Sequence, residues 1–198
     1  MEMNMRRSAT AASCSLLLGS VIVLVAGCAQ KSATAAAAPA ADTAVVDPAG
    51  NLRVPTDYRT TYQTLGTWAI AADADKGSKE MHIVYASPAA AAVYQKTRKF
   101  PDGTVLVKEV YGTQTSDMTT GTVSHADTLK GWFVMVKDSK NSHPGKPLWG
   151  DGWGWSWFDA GNPMHTTSTD YKDDCQGCHT PAQVTDWIYV NGYPILQK

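Results

Sequence analysis

An α+β domain built mainly on an antiparallel β-sheet is what this sequence predicts, and three observations carry the expectation. Between residues 66 and 158 apolar residues recur mostly with period two, in runs rich in β-branched and aromatic side chains. Only two short segments have a helical period, so a bundle of four long helices lacks the material to form. Most of the 7 Trp fall within the period-two runs, and three alternate with small residues.

Taken in order, Thr56 to Leu65 reads as a short helix with Tyr58, Tyr62 and Leu65 on one face. Strands follow at Gly66 to Ala71 (GTWAIA) and Met81 to Ala86 (MHIVYA). Ser87 as N-cap and Pro88 at the first helical position open a second helix running to Tyr94. Further strands are expected at Thr104 to Thr113, Gly131 to Lys137 and Gly152 to Phe158, with Trp187 to Val190 as a sixth. In GWGWSWF, Trp153, Trp155 and Trp157 share one face, and the other carries only Gly154 and Ser156. Such a face suits burial against a helix or a second subunit, or contact with the edge of a flat ligand.

The N-terminus reads as a targeting segment. Arg6 and Arg7 precede an apolar run from Leu16 to Ala26 that is too short to span a bilayer and has the pattern of a secretory signal. It ends in Leu24-Val25-Ala26-Gly27-Cys28, which resembles the lipobox of bacterial lipoproteins and implies cleavage before Cys28 and lipidation of that residue. Ala29 after the Cys favours the outer membrane in that resemblance. The expected organisation is a signal peptide over 1–27, an Ala/Pro-rich tether over 28–50 and a folded domain over 51–198. The domain then sits on the periplasmic side, held to the membrane by its lipid alone.

The 17 basic and 18 acidic residues leave a net charge of −1 with no basic stripe, which excludes a phosphate-neutralising nucleic-acid surface. With Cys14 removed and Cys28 lipidated, the domain keeps Cys175 and Cys178, and His179 follows at once. No second Cys pair is present to complete a zinc site, and a thioredoxin-like pair would not need the His. Cys-x-x-Cys-His is the attachment signal for one covalent haem c, with two thioether bonds and the His as axial iron ligand; a bare disulfide is the plain alternative. No Met follows His179, so any sixth ligand comes from upstream, where Met118, Met135 and Met164 are candidates. Met135 alternates with Phe133 and reads as core, while His125, His143 and His165 lie in loop-like sequence and read as surface residues.

Gly66-Thr-Trp68, His82-Ile-Val-Tyr-Ala-Ser-Pro88, the run Tyr94 to Glu109 with its Phe100-Pro101-Asp102-Gly103 and Val-Lys-Glu strand, and the late Cys-x-x-Cys-His motif together resemble the cytochrome P-460 and cytochrome c′-beta family. The resemblance spans about residues 50 to 198. It implies a β-sheet haem protein, usually a homodimer, with a five-coordinate iron open on one side. Lys108 aligns with the lysine that is cross-linked to the porphyrin in cytochrome P-460 members, which oxidise hydroxylamine; the c′-beta relatives lack the link and bind NO or CO. The resemblance therefore implies a hydroxylamine oxidoreductase delivering electrons to a periplasmic partner such as a small cytochrome. An NO- or CO-binding protein and a plain electron carrier are the alternatives. Lys108 shares its strand face with Leu106 and Val110, so periodicity alone also allows a snorkelling edge-strand lysine. Proton acceptors for such chemistry would be Glu109, Asp173, Asp174 or His82.

Overall fold

The computed structural model describes residues 45–197. The expected signal sequence, residues 28–44 of the tether, Cys14 and Cys28 lie outside the described residues. Among the described residues, packing is already present at Val45, ahead of the boundary expected at Asn51. Val45 is fully buried, Val46 bridges to Leu52, and the Asp47 carboxylate closes the intervening turn by accepting the Ala49 and Asn51 amides.

The architecture is mostly antiparallel β-sheet with a few short helices. Six strands run β1 (Gln63–Ala71), β2 (Ser78–Ala86), β3 (Val105–Met118), β4 (Gly121–Lys137), β5 (Trp149–Gly150) and β6 (Trp153–Asp159). They lie in the order β1-β2-β3-β4-β6-β5, every neighbouring pair antiparallel. Both faces of the central strands are covered, and side-chain alternation gives each face its own core. Leu106, Met135, Trp153 and Trp155 join one core, and Val105, Val107, Trp132 and Val134 join the other.

Helix α1 (Tyr58–Thr61) and the N-terminal segment lie on the second face, while α2 (Ala90–Thr97) and the C-terminal segment from Tyr171 cover the first. Gly66 of β1 and Gly192 meet where that segment crosses the sheet edge. A Cβ on Gly66 would stand 2.8 Å from the Gly192 carbonyl oxygen, and one on Gly192 would run into the Trp68 ring. Glycine at both positions allows the close approach.

Four expectations change. The helix over Thr56 to Leu65 is one turn only; Leu65 belongs to β1 and packs in the first core, whereas Tyr58 packs in the second. The second helix starts at Ala90, because the Ser87 hydroxyl accepts the Val105 amide at 3.0 Å, tying the chain to β3 instead of capping. Strands β3 and β4 continue through the polar residues 114–130 as a two-stranded ribbon, where pairing and not burial sets the conformation. Trp187 to Val190 forms no strand: Asp186 and Trp187 both take positive φ, 64° and 69°, and the sixth strand is Trp149–Gly150.

Glu109, one of the expected proton acceptors, faces the second core. It is 1% exposed, with its carboxylate accepting from the Tyr58 hydroxyl, from the Tyr85 hydroxyl at 3.1 Å and from Arg59 Nε at 2.6 Å. Tyr58 in turn accepts the Trp132 indole N–H at 2.8 Å. Burial, followed by the bond to Glu109, pushes the Tyr58 phenol well above its ordinary range. The carboxylate is thus structural, tying α1 to the sheet. Glu109→Gln keeps the shape but removes a charged acceptor, and is expected to cost about 1.5–3 kcal/mol of stability in urea titration. It should leave the absorption spectrum of the expected haem unchanged.

Candidate functional site

Alternation on β3 sends Leu106, Lys108 and Val110 to the first face. Lys108 stands between Val84 of β2 and Phe133 of β4, with Nζ 4.2 Å from the Phe133 ring centroid. Burial pulls its ammonium below the ordinary range, opposed by Cys178 and Cys175. The lysine is enclosed here, not snorkelling from an edge.

The Cys-x-x-Cys-His segment sits on two short helical turns facing this strand. A wide turn over Lys172–Gln176 buries Cys175, and the next turn, Gly177–His179, leaves Cys178 exposed. Both cysteines are free thiols, so the disulfide alternative is not what the structure holds. Burial raises the Cys175 thiol to about 11. His179 Nδ1 lies 2.7 Å from the Trp187 carbonyl oxygen, which can only accept, so Nδ1 carries the proton and Nε2 keeps its lone pair. Trp155 meets the imidazole edge-on at 4.9 Å, and the Tyr189 hydroxyl donates to the Cys178 carbonyl at 2.7 Å.

Between sheet and C-terminal segment lies a cleft of two cavities, about 270 and 450 Å³, that share His82, Lys108, Phe133, Met135, Cys178 and His179. That size is of the order of small-molecule sites, about 300–1,000 Å³. Trp68, Tyr189 and Tyr193 close one end; Trp155, Trp157 and Asp174 line the other. Trp153, expected on the same face, is fully buried outside both cavities, whereas Trp155, in the same core, and Trp157 also line one of them.

Of the expected proton acceptors, Glu109 is on the opposite face and Asp173 is exposed outside both cavities. Asp174 borders the cleft, but its carboxylate accepts the Thr169 and Asp170 amides at 2.7 and 3.3 Å, shaping the loop. His82 lines both cavities. Its Nε2 is 3.2 Å from Glu80 Oε2, and Glu80 Oε1 is 2.8 Å from Lys130 Nζ. Burial, then the charge of Lys108, holds the His82 pKa below its ordinary value. Met118 and Met164 are exposed, whereas Met135 is buried and lines both cavities. His125 and His165 are exposed as expected, but His143 stacks on Trp149 with ring centroids 4.0 Å apart.

Sequence reasoning missed Trp187, which fixes His179 by a backbone carbonyl, because no side-chain pattern marks that role. Trp68 was legible in principle: it pairs directly with His82 and so must share its face.

The donor set fits a haem. Paired thiols, one imidazole with Nε2 free and Nδ1 anchored, and a largely apolar, aromatic-lined cleft are what covalent attachment and single axial ligation require. Among the described residues no group of three or more His, Cys, Asp and Glu could hold a metal directly, and a macrocycle-bound iron needs no such group.

The family model described as Cytochrome P460 matches residues 55–190. No curated protein matches this chain.

The lowered His82 pKa has a consequence for stability. The unfolded chain binds this proton more readily, so the contribution is complete above the ordinary value near 6.5 and is lost as pH falls through the lower folded value. The melting temperature should therefore decline as the pH falls below about 6.5, and less steeply in His82→Gln.

Proposed function

The chain belongs to the cytochrome P460 family, and on that premise we propose that this haem protein is a hydroxylamine-oxidising oxidoreductase carrying one covalent haem c. Cys175 and Cys178 would form the thioether bonds, and His179 would ligate iron through Nε2. The observation that carries the reading is Lys108, whose side chain lines the same cleft as Cys178 and His179 on an otherwise apolar strand face. Burial favours its uncharged amine, the nucleophilic form that attachment to a porphyrin carbon requires.

The bound macrocycle and its iron supply the redox chemistry. The chain's own residues do the rest. The Trp187 carbonyl and the Trp155 edge orient the His179 ring. Leu106, Phe133 and Met135 form an apolar wall that keeps water out and suits a small uncharged substrate. His82, neutral at physiological pH, takes up protons released from hydroxylamine, and Glu80 and exposed Lys130 lead from it to solvent. In this reading the protein faces the periplasm as a homodimer, lipid-anchored through Cys28 at the outer membrane, and passes electrons to a small periplasmic cytochrome.

A second reading, binding of NO or CO without turnover, is favoured by the same apolar wall and by the engagement of Asp174 and Glu109 elsewhere. Ligation by Met135, the buried methionine of the cleft, would make the protein an electron carrier.

Mass spectrometry of the proteolysed haem-loaded protein separates the three when paired with CO addition to the reduced form. Oxidoreductase function predicts a Lys108 peptide joined to the haem peptide of Cys175 and Cys178, with CO bound readily. A free Lys108 peptide with CO bound indicates gas binding, and refusal of CO indicates Met135 ligation. In steady-state assays His82→Gln should lower kcat for hydroxylamine oxidation about 100-fold with little change in the haem spectrum.

A further inference from the structure

The axial imidazole is oriented by one backbone carbonyl, and that carbonyl belongs to a strained segment. Asp186 and Trp187 are consecutive non-glycine residues with φ of 64° and 69°, a left-handed conformation that a bulky aromatic residue does not adopt unaided. Something outside the segment must hold it.

Asp186 is the point of attachment. It is 3% exposed, and Oδ1 lies 2.8 Å from Lys137 Nζ at the end of β4, itself 7% exposed. Oδ2 accepts the Phe100 amide at 2.9 Å, Lys99 Nζ stands 3.5 Å from Oδ1, and the Asp186 carbonyl accepts the Trp153 indole N–H at 3.0 Å. Lys137 is fixed in turn over the Trp153 ring, 4.8 Å from Nζ to the centroid. The segment is thus bound to β4, to β6 and to the Phe100 turn. Within the segment the Asp186 and Trp187 amides both donate to the Ala182 carbonyl, the latter at 2.9 Å, and tie the kink to its own helical turn.

We propose that Asp186 is a positioning residue for the axial ligand: its buried ion pair with Lys137 holds the left-handed kink and so keeps the Trp187 carbonyl on His179 Nδ1. This rests on the reading of His179 as the iron ligand. A carbonyl accepting from Nδ1 fixes the ring and makes Nε2 a stronger donor, which favours ferric over ferrous iron. Releasing the kink weakens the iron–imidazole bond and raises the reduction potential. Neither residue touches the cleft, so the effect passes through backbone geometry alone.

The test uses the haem-loaded protein in its reduced form, with the iron–histidine stretching band read by resonance Raman and the reduction potential by redox titration. Asp186→Asn, close in shape but uncharged, and Lys137→Met should both shift the band to lower frequency and the potential upward, and Lys137→Arg should restore both towards the parent values. If Asp186→Asn does not fold, the Met and Arg variants at Lys137 carry the same comparison. A lower melting temperature with band and potential unmoved would mean a merely structural pair and would overturn the inference, as would shifts in the opposite sense. His179→Ala should abolish the band; a band that persists there sinks the ligand assignment itself, which is a different failure.

Discussion

Val84, Lys108 and Phe133 lie abreast on β2, β3 and β4, and the cleft depends on that alignment. Side chains along a strand alternate faces, so a slip of one residue would exchange Lys108 for Glu109. The slip would put a carboxylate beside Phe133 and an ammonium among Tyr58, Tyr85 and Arg59. Both faces of β3 are covered, and each side chain has partners that only its own face supplies. The carboxylate has phenol and guanidinium donors on one side, and the amine has an aromatic ring and an apolar wall on the other. Register and electrostatics therefore enforce each other, because an ionised group buried without partners is costly.

The same sorting explains how a chain of near-neutral charge makes a site with few charged groups facing it. Acids and bases near the sheet are consumed in local pairs: Glu109 with Arg59, Glu80 with Lys130, Asp186 with Lys137. The cleft is left with Lys108 and His82 as its main titratable wall groups beside the cysteines and His179, and burial favours the neutral form of both. Lys130 and Glu80 are both partly exposed, so that pair serves geometry more than stability.

The C-terminal segment is built differently from the sheet it covers. Its pieces are short helical segments, 172–176, 177–179, 180–185, 190–192 and 194–196, none long enough to be stable alone. Their conformation comes from contacts with the sheet: Gly192 against Trp68, the Gln95 amide on the Ile195 carbonyl at 2.6 Å, Arg98 on the Leu196 carbonyl at 3.1 Å. Cys175, Cys178 and His179 are presented by a segment that folds only because the sheet is there to receive it.

By itself the sequence determined the β-dominated fold, from period-two alternation in Trp- and Val-rich runs, and it made the Cys-x-x-Cys-His motif legible, because Cys175, Cys178 and His179 are close together in the chain. Family membership was also legible, because the resemblance was carried by local segments such as Phe100 to Glu109, and the family model matches residues 55–190. The face of Lys108 followed from periodicity, but not what it faces. The ribbon over 114–130 was invisible to a reading by burial, because its residues are polar on both sides. Only the tertiary structure decided that Glu109 is structural, that Trp155 but not Trp153 reaches the cleft, and that the Trp187 carbonyl anchors the imidazole. Those outcomes depend on groups far apart in sequence, and on a left-handed kink at Asp186 and Trp187 that no local preference would produce.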